Sequence, residues 1–439
     1  MKTLQTSILL IVFISGLFAQ SQPLKTRLDQ KAEAIEQKVI EWRRDIHEHP
    51  ELGNREFRTA EKVATHLRSL GMEVKTGVAH TGVVGLLKGG KPGPVVALRA
   101  DMDALPITER TDVPFKSLVT TEFNGQSTGV MHACGHDAHV AILMGVAEVL
   151  AANKNELKGT VKFIFQPAEE GTPTGEDSGA KLMVKEGVLD SPRVDAIFGL
   201  HMSANTEVGT LIYRSGALMA ASDNYSIKIK GKGSHGAYPW GGVDPMVTAA
   251  QVLIGLQTIV SRNVNLVKAP AVVTVGAIQG GNRVNIIPEE ATLIGTIRTF
   301  SPETQQFVHH RIQEIATHIA QSAGATAEVS IQNQCPVTYN DPALTDQMLP
   351  VLETLAGKEK VKSNLLDTGA EDFSFFQEQV PGLYFYLGAM TKGKKREEVA
   401  GHHTADFYLD ESGFLLGVKA LSHLTVNYME QWKGGAAVR

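Results

Sequence analysis

Nine consecutive residues, Met131 to His139, hold one thiol (Cys134), three imidazoles (His132, His136 and His139) and one carboxylate (Asp137). A thiolate beside imidazoles is the donor set of a transition-metal site. Cys134 and His136 stand two apart, so they face nearly opposite sides of a helix but one side of an extended loop, and Gly135 between them permits the loop. The bland alternative is a disulfide between Cys134 and Cys335, the two cysteines of the chain, but core histidines do not normally cluster beside a structural bridge. Glu169 and Glu170 add paired carboxylates: one coordinates metal while its neighbour, facing the cleft, takes a proton from water. Adjacent glutamates are usually a solvated face and single histidines are usually surface or core residues. Here, however, ligand-type residues recur at three separate strand ends. His47-Glu48-His49-Pro50-Glu51 is a decoy: the second histidine is not four residues after the first, and Pro50 breaks the turn.

The elements that must position these groups are readable. Val95 to Ala100 is a short apolar, β-branched run that reads as a buried strand ending at Asp101 and Asp103. Val161 to Phe165 is a second, stopped by Pro167 just before the paired glutamates, and Asp195 to Leu200 is a third, with His201 at its end. Between the first two lies Val140 to Ala152, apolar nearly all round, which predicts a buried helix. Strands alternating with helices predict an α/β unit whose mostly parallel sheet is flanked by helices and gathers ligands outside the carboxyl ends of its strands. Several donors of mixed hardness suit two divalent ions better than one.

Residues 225–333 read differently. A strand from Tyr225 to Lys230, a helix opened by Asp244-Pro245 and running to about Arg262, strands Val272 to Ile278 and Ala291 to Phe300, a helix opened by Ser301-Pro302, and a strand from Ala327 give the order βαββαβ. This predicts an inserted ferredoxin-like unit with an open sheet edge, suited to be a lid or dimerisation surface. Its polar candidates are His235, on a glycine-flexible loop, with Asn285 and Arg298; the plain alternative for His235 is a solvated turn.

Composition narrows the function classes. The chain has 439 residues, a formal net charge of −5 and no long single-sign run, which gives no footprint for nucleic acid or for a polybasic membrane anchor. Lys2 followed by the apolar run Ile8 to Phe18 reads as a signal peptide over residues 1–20, too short to span a bilayer, with a retained anchor as the alternative. The mature protein is therefore expected to be exported, periplasmic or secreted, with no membrane association after cleavage. The expected division is a catalytic domain in two parts, 21–222 and 334–439, around a lid domain, 223–333.

Together the stretches Arg-Ala-Asp-Met-Asp-Ala-Leu-Pro (99–106), His-Ala-Cys-Gly-His-Asp-Ala-His (132–139), Gln-Pro-Ala-Glu-Glu-Gly (166–171), Gly-Leu-His (199–201), Gly-Ser-His-Gly-Ala (233–237), Asn-Ile-Ile-Pro (285–288) and Gly-Ala-Glu-Asp-Phe (369–373) resemble the M20 metallopeptidases. More narrowly they are similar to the branch of N-acyl-amino-acid amidohydrolases, hippurate hydrolases and plant auxin-conjugate hydrolases. The resemblance implies a di-metal catalytic domain split by an inserted lid that usually mediates a homodimer. Its ligands fall on Cys134, His136, Glu170, His201 and a C-terminal histidine, with Glu169 as general base. His402 and His403 are adjacent; the family pattern sets the ligand four residues before an aromatic, which Phe407 satisfies for His403. Where other branches carry a metal-binding histidine this chain has Asp101, which leaves Asp103 as an orienting carboxylate. His235 is implied to reach across the dimer and donate to the developing oxyanion. The metals are Mn2+ or Zn2+: the thiolate favours zinc by softness, whereas the branch is described with manganese. The expected reaction is hydrolysis of the amide bond of an N-acyl amino acid, and Arg298 with backbone N–H groups near Gly369 is expected to grip the substrate's free carboxylate. The rival enzyme is a metallo-carboxypeptidase or dipeptidase on the same metals. The rival outside enzymology is a degenerate, metal-dependent binding protein, which loss of Glu169 or of a ligand would have signalled, and none is missing.

Overall fold

In a computed structural model that describes residues 22–172, 175–177 and 179–434, the apolar run from Val95 becomes part of the strand Lys91–Asp101, buried from Val96 to its end. The segment expected to be a signal peptide, 1–20, lies outside the described residues. A strand apolar on both faces must be covered on both, and this one lies inside an eight-stranded sheet in the order 73–78, 82–88, 158–166, 91–101, 196–207, 382–390, 211–213, 361–363. The four central strands run parallel. Antiparallel pairing is confined to the flanks, where 73–78 meets 82–88, 82–88 meets 158–166, and 211–213 meets 382–390. The sheet is thus mixed, with its parallel part where the ligand-type residues lie.

Helices Leu24–Glu48, His136–Ala152 and Phe414–Gln431 cover one face. Gly145 marks their meeting point: a Cβ there would stand 2.9 Å from Val39 Cγ2 and 3.1 Å from Val418 Cγ2. The other face packs Ile164, Ile197, Phe373, Phe376 and Tyr384 around the helix Gly179–Lys185. Large apolar side chains wholly withdrawn from water, such as Phe163, Phe198 and Phe385, contribute about 1.5–3 kcal/mol each.

A second sheet of four antiparallel strands, in the order 271–280, 290–299, 221–230, 326–335, builds a separate unit. Its helices begin where the sequence signals them: Asp244 accepts from the N–H groups of Met246 and Val247 ahead of Pro245–Thr258, and Ser301 accepts from Thr304 ahead of Pro302–Ser322. The first helix is shorter than expected, giving way at Ile259 to a π-helical turn that ends at Asn263. The unit has its own core, centred on Ile227, Val252, Leu293 and Ile312. Among the described residues no helix is long and apolar enough to cross a membrane.

Candidate metal centre

Sheet register brings the site together. Asp101 lies opposite Gln166, and His201 opposite Tyr386, so the ends of the central strands are level. Just before the helix His136–Ala152, Gly135 takes φ 100°, and a Cβ there would meet Met202 Cβ at 3.0 Å. That left-handed turn, strained for any residue with a side chain, aims Cys134 and His136 inward together.

The donor atoms fall into overlapping groups, each with its ligand atoms within 4.8 Å of one another: Cys134, His136 and His201 in one, Cys134, Glu170 and His403 in a second, and His136, Glu169 and Glu170 in a third. Cys134 Sγ is 3.5 Å from His201 Nε2 and 3.3 Å from His403 Nε2. Two histidines have their other nitrogen fixed. His136 Nδ1 lies 2.9 Å from the Asp103 carbonyl and 3.2 Å from Asp103 Oδ1, and His201 Nδ1 lies 2.7 Å from the Met202 carbonyl. Each therefore donates through Nδ1 and leaves Nε2 as the nitrogen that can ligate a metal. His136 Nε2 and Glu170 Oε1 are buried without a hydrogen-bond partner. His403 Nε2 sits 2.9 Å from that same Glu170 oxygen, as an ion pair when the imidazole is protonated and close enough for both atoms to meet one ion. Orphaned, converging soft and hard donors fit two divalent ions better than any pairing among themselves.

The adjacent histidines differ. His402 Nε2 accepts the Ala204 N–H at 3.2 Å, and its Nδ1 is 3.7 Å from Cys134 Sγ. His403, held at φ 61° with its N–H on the Ala133 carbonyl, keeps Nε2 for the centre. Asp101 is committed elsewhere, to Arg99 at 2.6 Å and to His139 Nδ1 at 2.5 Å, while His139 Nε2 accepts the Met202 N–H. Asp103 reaches His136 with one oxygen and the Glu170 N–H, at 2.9 Å, with the other.

The electrostatics ask for cations. Burial, then Glu170 and Glu169, push the Cys134 thiol well above its ordinary value. Burial, then Glu371 and Glu170, push Glu169 up likewise. Burial alone would lower His136, but Asp101 and Asp103 outweigh it and raise it to about 10. Divalent ions invert this balance, since a coordinating thiol is deprotonated outright.

The sequence reading missed the hub beneath the centre. Arg99, wholly buried, donates to Gln166, Asp101, Glu371 and Asp372 at 2.6–2.9 Å. The signal was available: an arginine in the middle of an apolar strand must find buried partners, and Glu371-Asp372 follow the Gly369-Ala370 that were singled out.

A cleft of about 1410 Å³ opens over the centre, lined also by Asn224, Arg298 and Gln332 of the four-stranded sheet. Arg298 spends Nη1 on Thr296 and the Ile297 carbonyl. Gly369 lines the cleft, and its N–H donates to Asp367 Oδ1 at 2.8 Å while Phe373 N–H donates to Glu371, so these two of the expected backbone donors are engaged within the chain. His235 and Asn285 do not line the cleft. They meet in a small two-stranded sheet beside the four-stranded one, where Ser234–His235 pairs with Ile286–Ile287 and Gly236 N–H donates to the Asn285 carbonyl. Cys335 lies on the cleft wall, and both cysteines are free thiols, so the disulfide alternative falls.

Overlapping ligand groups, two of which share one thiolate, at the carboxyl ends of parallel strands and beside a further carboxylate, define a dinuclear metallohydrolase centre. Residues 97–427 match the model of peptidase family M20/M25/M40, and the chain belongs to that family. It is 39% identical over 407 residues to Thermostable carboxypeptidase 2 of Saccharolobus solfataricus, covering 92% of this chain and 99% of the relative. It is also 39% identical to the N-acetylcysteine deacetylase of Bacillus subtilis, over 91% of this chain and 99% of that one. The crystal structure of the Bacillus subtilis YXEP protein, described as a dinuclear metal-binding peptidase of the M20 family, superposes with a TM-score of 0.75 at 36% identity, over 91% of this chain and 99% of that one.

Proposed function

We propose that the protein hydrolyses the amide bond of N-acyl amino acids, with Cys134, His136, Glu170, His201 and His403 holding two divalent ions, zinc or manganese, and Glu169 acting as general base. The observation that carries this is the company each glutamate keeps: Glu170 is grouped with Cys134 and His403 as well as with His136, whereas Glu169 is grouped with neither Cys134 nor His403 and its carboxyl accepts no hydrogen bond from the described residues. Bound divalent ions supply polarisation of the amide carbonyl and acidification of the attacking water. Glu169 takes the water's proton and passes it to the departing amine. Asp103 holds His136 in its ligating tautomer and fixes the Glu170 backbone. Arg298 pairs with the substrate's free carboxylate through the guanidinium nitrogens it does not spend on Thr296. His235 and Asn285 complete the site from the four-stranded unit of a second copy, with His235 donating to the developing oxyanion. The leader-like residues 1–20 direct export.

The names of the two relatives share cleavage of an amide next to an amino acid, which supports the reading. A cleft of about 1410 Å³ exceeds the roughly 300–1,000 Å³ typical of small-ligand sites and favours a second reading, carboxypeptidase or dipeptidase action on small peptides. Screening N-acyl amino acids against peptides separates the two. The mechanism is tested by paired variants. Glu169→Gln should keep its metals and lose about a hundredfold or more in turnover, the low end for general acid–base catalysis. Glu170→Gln should lose metal. Equal metal loss in both would show that the roles are not divided.

A further inference from the structure

The turn bearing Glu169 and Glu170 is not held by its own residues. Ala168, buried between Pro167 and Glu169, takes φ 51°, the left-handed region that costs an L-residue about 1–2 kcal/mol. Such a conformation persists only where its surroundings impose it. The Ala168 N–H donates at 2.8 Å to Oε1 of Glu56, whose side chain is wholly buried and whose Oε2 is bonded to Thr81 Oγ1. Two residues on, the Glu170 N–H donates to Asp103. The backbone around the glutamate pair is therefore pinned on either side by a buried carboxyl group. The segment before Glu56 presses on the same turn: a Cβ on Gly53 would stand 2.2 Å from the Gly171 carbonyl oxygen and 3.0 Å from Ala168 Cβ.

We propose that Glu56 is a positioning residue: by holding Ala168 left-handed it sends Glu169 towards the cleft and Glu170 towards Cys134 and His403, without itself touching substrate or ion. This rests on the reading of Glu169 as base and Glu170 as ligand. Without the anchor, Ala168 relaxes towards negative φ and the two carboxylates lose their fixed placement beside His136. The function needs an acceptor on Oε1 and a partner for Thr81, not a negative charge. Burial, then the neighbouring Asp103, push Glu56 up to about 8, and a glutamine is its isostere. Glutamine Oε1 can accept the Ala168 N–H while its amide donates to Thr81.

The experiment compares Glu56→Ala, Glu56→Gln and Glu56→Ala combined with Ala168→Gly, measuring zinc affinity of the metal-stripped full chain by calorimetric titration, and kcat and KM on an N-acetyl amino acid. Glu56→Ala should weaken zinc binding by about 10–100-fold, the usual effect of losing a group that orients a ligand, and lower kcat with KM little changed. Glu56→Gln should stay near wild type in both. Ala168→Gly should restore part of the loss, because glycine holds positive φ without a Cβ penalty. Folded Glu56→Ala with wild-type affinity and kcat would overturn the proposal. So would a loss that Glu56→Gln shares, that Ala168→Gly does not relieve, and that follows the melting temperature. If the wild-type protein cleaves no N-acyl amino acid, the functional reading fails while the zinc titrations still decide the role of Glu56.

Discussion

His136, in the α/β body, is buried and keeps Nδ1 on Asp103, whereas His235, in the four-stranded unit, is exposed and its Nδ1 accepts only the N–H of Ala237, two residues on. The same residue type is fixed in one region and solvated in the other. In the body every proposed ligand stands within reach of buried, mutually satisfied groups, with Arg99 beneath them tying three carboxylates together. The small sheet around His235 instead displays apolar surface: Trp240 is 81% exposed and Tyr238 58%. Folding alone brings the metal groups together, whereas the segment around His235 faces solvent. Exposed aromatic residues beside that histidine fit the second copy proposed above.

The comparison breaks most visibly at the metals. Chelation should abolish activity, and Cys134→Ser should lower metal content while circular dichroism and melting stay close to wild type, because the thiol is shared by two of the ligand groups yet small in the core. Metal analysis showing full occupancy in Cys134→Ser would sink the assignment of the shared ligand.

A smaller but still large effect belongs to the exposed region. His235→Ala should lower kcat by about 10²–10³, the loss seen when an oxyanion donor is removed, with no change in metal content. Stability should move by no more than about 0.5 kcal/mol, as for other surface substitutions. Mixing it with inactive Glu169→Gln subunits should restore some activity, because a mixed dimer assembles one intact site. No recovery despite proven subunit exchange would place the whole site within one chain.

How far the sequence revealed all this follows the same divide. The strands before Asp101, Glu169 and His201 were legible because buried parallel strands read as apolar runs, and the helices of the four-stranded unit because Asp244-Pro245 and Ser301-Pro302 are strong start signals. The antiparallel flanks of the large sheet were not, since nothing in Glu73–Val78 or Gly82–Lys88 says which way a neighbour runs. At the site, residue type pointed to Cys134, His136, Glu169, Glu170 and His201. It said nothing of Glu56, whose partner Ala168 lies far along the chain and offers only a backbone N–H. Gly369 shows the converse failure: a free N–H was read from sequence, and the side chain of Asp367, two residues before, takes it.

That correction sharpens the last and smallest effect. With the Gly369 N–H occupied, carboxylate recognition is expected to rest chiefly on Arg298, and Asp367 on the same wall opposes an anion. Losing a hydrogen bond to a charged group costs about 1.5–3 kcal/mol, which is roughly 10–100-fold in kcat/KM. Esterifying the carboxylate of an N-acyl amino acid should lower kcat/KM by that amount, mostly through KM. Arg298→Ala should produce the same loss on the free acid and little further loss on the ester, because both changes remove one interaction. The metal content of Arg298→Ala should match wild type, since the guanidinium stands on the four-stranded sheet and not among the ligands. If the ester is cleaved as well as the free acid by the wild-type protein, carboxylate recognition is wrong and a generic amidase or endopeptidase reading replaces it. If the two losses multiply instead, the carboxylate is held by a group other than Arg298, and the partner's two-stranded sheet is the next place to look.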